Sequence, residues 1–252
     1  MKKQPIIITS DRGYDLMALK YAESFSSPAW VIPTSSQNKE YAEIQKEITD
    51  NLSFFSSSLI AVPFEIREKC RQEAINLVDL AKSGQLPAEI WNRFFEQPFK
   101  PDLNRAIAPF PVSSKQKNIL FVPQKSWSDN RHGITAVQKS LPPSVFSFLK
   151  NSPEHQLLGV QNTRHADCYQ MYASVDLVIG IAGTHTWYFL TTLPWVPHII
   201  LYHKDATGWW PDIGTACQKR GYPIIPLGFN AETDLNAFSE QIRNSYEKLI
   251  AL

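Results

Sequence analysis

Short apolar runs alternate with longer mixed runs through the first third of the chain. Residues 6–9, 30–32 and 59–62 read as strands, and residues 14–24, 39–51 and 66–82 read as the helices that follow them. Strand and helix in alternation predict a parallel sheet with helices on its faces. The third helix has the plainest pattern: Cys70, Ala74, Leu77, Val78 and Ala81 fall mostly at intervals of three and four, and Lys82-Ser83-Gly84 supplies a basic last turn and a glycine stop.

From 85 to 117 the pattern breaks. Pro87, Pro98, Pro101, Pro109 and Pro111 interrupt regular structure, with Ile90, Trp91, Phe94, Phe95 and Phe110 as apolar anchors, so this stretch reads as a connector packed on the surface. A second α/β run follows. Strands are expected at 118–122, 156–160, 199–202 and 223–227, with helices near 144–150, at 167–174 and at 235–250, and the run from Val175 to Trp187 reads as strand, small-residue turn and short helix. The fold class predicted is therefore α/β, with two Rossmann-like parallel-sheet halves facing across a cleft: 1–84, a proline-rich connector 85–117, and 118–252.

The most informative segment is Val175-Asp176-Leu177-Val178-Ile179-Gly180-Ile181-Ala182-Gly183-Thr184-His185-Thr186. A continuous apolar run suits a strand buried on both faces, and the small residues after it let a ligand approach the backbone. Thr184 stands where a helix N-cap is expected. Helix N-termini carry unpaired N–H groups and about half a positive charge, which favours a phosphate there.

Composition narrows the function classes. The 25 basic and 24 acidic side chains among 252 residues nearly cancel, which argues against a nucleic-acid-binding surface. The three cysteines are odd in number and lack C-x-x-C spacing, so reduced thiols of a cytoplasmic protein are expected. The opening apolar stretch, Ile6-Ile7-Ile8, is far short of the roughly 20 residues of a membrane helix, which leaves room only for peripheral membrane association. Trp187, Trp195, Trp209 and Trp210 lie close together in sequence, as the wall of a ligand site or as core aromatics.

In open parallel sheets ligands bind beyond the carboxyl ends of the strands, so the residues following each strand are the informative ones. Those loops offer Lys125 and Arg131, then Arg164, then Gly183, Thr184, His185 and Thr186, then Trp209 and Trp210. The cations suit a diphosphate and the indoles suit a sugar ring. His198 and His203 differ by an odd number, so on one strand they face opposite sides, and no protein-bound metal is expected. In the first half Asp11 and Asp15 follow the first strand, where a general base for an acceptor hydroxyl would stand, with Glu65 in reserve. A carboxylate in the first turn of a helix is also an ordinary structural feature, and Asp15 fits that description as well.

The run from Ala173 to Gly180, then Gly183-Thr184-His185, then Pro197 and an apolar strand, resembles the donor-site segment of GT-B glycosyltransferases, most closely the heptosyltransferase pattern. Gly183-Thr184 is similar to the serine-glycine-threonine turn of lipid-A disaccharide synthases. The likeness covers about 35 residues and implies a nucleotide-sugar donor held by the C-terminal half, a glycan-type hydroxyl acceptor, no cofactor and no metal. It implies donor-phosphate contacts from Gly183, Thr184, His185 and Lys125. The chain departs from the pattern at Trp187-Tyr188-Phe189, where an acidic residue that grips the donor ribose is usual. Polysaccharide pyruvyltransferases and sugar-nucleotide epimerases share similar runs, and a non-catalytic nucleotide-sugar-binding protein is the remaining alternative.

Overall fold

The structure, a computed structural model, describes residues 3–10, 13–77, 79, 86–101, 115–122, 141–150, 154–159, 165–205 and 209–252. It is α/β and carries two parallel sheets, of three and five strands. Two compact units are present: Met1–Ala108 with Thr163–Tyr169 and Trp187–Thr192, and Pro109–Asn162 with Gln170–Thr186 and Leu193–Leu252.

The first unit runs β1 (Ile6–Ile8), α1 (Gly13–Ser24), β2 (Ala29–Val31), α2 (Asn38–Leu52), β3 (Leu59–Ala61), a 3-10 turn (Phe64–Ile66), α3 (Arg67–Glu73) and α4 (Glu89–Phe94). Its sheet order is β1-β2-β3, with Ile6 opposite Ala29 and Ala29 opposite Leu59. Ile75 makes a parallel bridge to Ile6 on the other side of β1. Ile6, Ile8, Leu16, Leu19 and Val31 form the buried centre. α2 turns Tyr41, Ile48 and Leu52 inward, seven and four residues apart.

The single helix expected over 66–82 does not form. α3 ends at Glu73, Ala74 is extended, and Ile75 N–H donates to the Pro5 carbonyl at 2.8 Å while Ile7 N–H donates to the Ile75 carbonyl at 3.0 Å. A place beside the buried strand satisfies two backbone groups and overrides the helical period of the side chains. In the stretch read as a connector the apolar anchors Ile90, Trp91, Phe94 and Phe95 are buried, as is Phe99. Trp91 stacks on Trp187 at 6.1 Å, and Phe55 meets Phe99 and Tyr188, each at 5.8 Å. Phe99 N–H donates to the Thr191 carbonyl at 2.9 Å. Lys20 is buried here with its ammonium bonded to the Gln97 carbonyl and 5.1 Å from the Phe99 ring centre, and burial lowers its pKa.

The second unit carries β4 (Lys117–Val122), a 3-10 turn (Pro143–Phe146) running into α5 (Ser147–Lys150), β5 (His155–Leu158), α6 (His165–Ala173), β6 (Leu177–Ile181), α7 (Thr184–Thr192), β7 (His198–His203), α8 (Trp210–Lys219), β8 (Ile224–Phe229) and α9 (Leu235–Ile250). α6 and α7 each cross from one unit's residues to the other's. The sheet order is β5-β4-β6-β7-β8, all parallel. All five residues of β6 are buried, as a strand covered on both faces requires. The odd-numbered side chains Ile119, Leu177, Ile179, Ile181, Ile199, Leu201 and Phe229 form one core with Phe238, Ile242 and Leu249 of α9. Asp234 caps that helix by accepting from Asn236 N–H at 2.9 Å and Ala237 N–H at 3.3 Å.

The even-numbered face of the sheet lies close under α8. A methyl group at Gly214 would come within 2.6 Å of Pro226 Cγ, a ring carbon fixed in the edge strand β8. Alanine ordinarily favours a helix over glycine by about 0.8–1 kcal/mol, but here the clash dominates. Gly214→Ala is expected to lower stability by about 1–3 kcal/mol in urea denaturation, since overpacking costs that much; a stabilised variant would refute the packing described.

Candidate functional site

The strand order singles out one place in the second unit. From β4 the chain goes to β5 on one side and then to β6 on the other, so the crevice beyond the carboxyl ends of β4 and β6 is the topological switch point, where open α/β sheets bind ligands. Val122 is the partner of Gly180, so the carboxyl end of β4 lies beside that of β6. Asp176 works at the opposite end of β6. It accepts from Asn118 N–H at 2.8 Å, donates its own N–H to the Asn118 carbonyl at 2.9 Å, and lies 3.6 Å from Lys117 Nζ. The acidic residue of the motif therefore ties β6 to β4, Gly180 lies within the strand, and Ala182 and Gly183 form the bend.

Two amides of the bend are committed within the protein. Ala182 N–H donates to the Leu201 carbonyl at 2.7 Å, and Gly183 N–H donates to Thr186 Oγ1 at 3.0 Å. α7 begins at Thr184, so Gly183 takes the position before the helix and Thr184, half-buried, is its first residue. Thr186, fully buried, reaches back to the preceding amide as the third residue of a capping box does. Its own proton is then available to His185 Nε2, 3.3 Å away. His185 is 7% exposed and lies against the strand: a methyl at Gly180 would be 3.0 Å from its Nε2 and 2.7 Å from Val122 Cβ. Glycine at 180 is thus required by the imidazole and the neighbouring strand together.

His198 shares this face, its ring centre 5.9 Å from that of His185. Burial, and then the neighbouring His185, pulls its pKa well below 6.5. His203 points to the other face, edge-on to Phe229 at 5.6 Å, and its Nδ1 accepts from Asp205 N–H at 3.3 Å. Among the described residues no group of three or more His, Cys, Asp or Glu is placed to hold a metal ion. Trp210 is buried with its ring 6.3 Å from Tyr202, whereas Trp209, just before α8, is half-buried. Lys125, Arg131 and Arg164 lie outside the described residues.

In the first unit the same rule points to the end of β1, which has β2 on one side and Ile75 on the other. Asp15 stands there, in the first turn of α1. Its Oδ1 accepts from Thr9 N–H at 2.6 Å and from the Thr9 hydroxyl at 3.2 Å, and its Oδ2 accepts from the Ser10 hydroxyl at 2.6 Å. Burial raises its pKa against the pull of these donors. Both oxygens serve the strand-to-helix bend. Asp11 lies outside the described residues. The same strand-end rule applied to β3 reaches Glu65 and, one turn on, Arg67 and Arg71, a pair of cations that sequence reasoning passed over.

No protein-family model matches the chain, and no curated protein matches it. Among the described residues, no helix is long and apolar enough to cross a membrane.

Two measurements probe these surroundings. Asp15→Ala strands the Thr9 amide and is expected to cost about 1–3 kcal/mol, while Asp15→Asn, which still accepts from that amide, costs less; equal losses in chemical denaturation would contradict the bonding described. His198 stays neutral when folded while the unfolded chain takes up a proton, so stability falls as pH drops below 6.5, by up to about 1.4 kcal/mol per pH unit. His198→Leu is expected to flatten that slope, read from denaturation midpoints between pH 7 and 5.

Proposed function

We propose that this chain is a metal-independent glycosyltransferase of the GT-B type, with its two units facing across a cleft, moving a sugar from a nucleotide-diphosphate donor to a hydroxyl acceptor in surface-glycan or glycoconjugate synthesis. The supporting observation is the strand order β5-β4-β6-β7-β8, which sets the carboxyl ends of β4 and β6 side by side at the switch point. In this reading the bond between the sugar and the diphosphate breaks as the bond to the acceptor oxygen forms. Negative charge grows on the departing diphosphate, and preorganised donors around it stabilise the transition state. Lys125, Arg131 and Arg164 supply the positive charge. With Ala182 and Gly183 engaged internally, the backbone share falls to the first turn of α7 from Thr184 onward.

His185 holds the turn's shape through Gly180 and Thr186. Trp209, the more exposed of the two indoles, stacks on the sugar, and Trp210 backs it from the interior. Asp11 takes the proton of the acceptor hydroxyl, and Asp15 holds Thr9 and Ser10 at the end of β1. One observation favours a non-catalytic nucleotide-sugar-binding protein instead: both oxygens of Asp15 are occupied by their own loop.

Isothermal titration with UDP, GDP, CDP and ADP tests the reading. Binding of at least one is expected, with Lys125→Ala weakening it by about tenfold or more, as loss of a charge-assisted contact does; silence from all four nucleotides would end it. Product analysis with the matching donor then separates transfer from binding alone.

A further inference from the structure

Beyond β2 and β3 in the first unit, two guanidinium groups converge on one exposed carboxylate oxygen. Arg67 Nε lies 3.3 Å and Arg71 Nη1 3.1 Å from Glu68 Oε1. Both guanidiniums are aimed by backbone carbonyls. Arg67 Nη1 donates to the Phe64 carbonyl at 2.7 Å with its plane 3.6 Å from the Phe64 ring centre, and Arg71 Nη2 donates to the Pro33 carbonyl at 2.6 Å. The strand ends that carry these anchors are tied in turn: Tyr41 Oη donates to the Val62 carbonyl at 2.9 Å, and Gln45 Nε2 donates to Val31 and Val62 at 2.8 and 2.9 Å.

The two arginine side chains are 19% and 29% exposed, whereas Glu68 is 63% exposed. Arg67 Nε is buried and, although Glu68 approaches it, makes no hydrogen bond. A buried donor without a bond marks a place where a better-shaped acceptor would be favoured. The Glu68 ion pairs are solvent-exposed, a class worth about 0–1 kcal/mol, so they yield easily to a competitor. A tetrahedral oxyanion presents several acceptor oxygens to guanidinium forks at once, which one carboxylate oxygen cannot do. Glu65 adds negative charge to this neighbourhood, felt with those of Arg67 and Arg71 at the Tyr41 hydroxyl. With Glu68 displaced, the two guanidiniums still outweigh Glu65, so a doubly charged anion gains more than a singly charged one.

We propose that Arg67 and Arg71 form a binding site for a phosphomonoester dianion, and that Glu68 occupies it until the ligand displaces it. The site uses none of the residues assigned to the donor, so it stands or falls independently of the transferase reading.

The experiment is titration of the full chain with glycerol 3-phosphate, paired with sedimentation on phosphatidylcholine vesicles with and without phosphatidic acid. Binding of the soluble ester identifies a small phosphorylated ligand, and binding only to phosphatidic acid identifies a lipid headgroup; either supports the site. Glu68→Gln removes the competing carboxylate without touching the anchors and is expected to tighten binding about fivefold. Arg71→Gln is expected to weaken it about tenfold or more. Glu73→Gln, the same charge change on an exposed position of α3, is expected to shift affinity less than about twofold. Absence of binding in both arms by the natural and Glu68→Gln chains overturns the proposal, as does equal tightening by Glu73→Gln.

Discussion

A strand with no polar side chain must be covered on both faces, and its backbone must be paired along both edges. β6 meets the first condition with five buried residues and the second by lying between β4 and β7. Everything at the candidate site follows from that placement. The tether of Asp176 to Asn118 sets the register of β6 against β4, that register puts Gly180 opposite Val122, and the chain then bends over Gly180 with His185 folded back on it.

The bends after β1 and β6 are stabilised by different chemistry with one result. After β1 the carboxylate of Asp15 gathers the Thr9 amide and two hydroxyls, and after β6 the hydroxyl of Thr186 takes the Gly183 amide. In each case a side chain inside the following helix satisfies backbone that the turn would otherwise leave without a partner. Such internal bonds define where a ligand can be met. They use up some donors and leave the next turn of helix as the remaining backbone contribution.

Buried titratable groups are held in place by burial together with specific neighbours. Lys20 is inside with a carbonyl and an aromatic ring for company, Asp15 with donors from Thr9 and Ser10, and His198 beside a second imidazole. For each, loss of water disfavours the charged form, so each pKa moves in the direction that favours the neutral form, up for Asp15 and down for Lys20 and His198. Cys217 follows the same rule, its thiol pushed up to about 12 by burial, which makes it a poor nucleophile.

Local pattern was enough for the α/β class, for the eight strands of the described residues to within a few residues, and for α9 from its amphipathic run. It was enough as well to mark Ala182 and Gly183 as a bend, because small residues after an apolar run have few other uses, whereas Gly180 belongs to the strand itself. It failed where a distant partner decided the outcome. Ile75 left its helical period to pair with β1, and Trp91 and Phe99 met rings far away in the chain, those of Trp187 and Phe55. Strand order, the occupation of Thr186 and Asp15, and the meeting of Arg67 with Arg71 on one carboxylate oxygen were likewise settled only by folding. Periodicity reports which face of an element is apolar; the neighbour that face or edge acquires is a property of the assembled sheet, and hydrogen bonds and ion pairs depend on the neighbour.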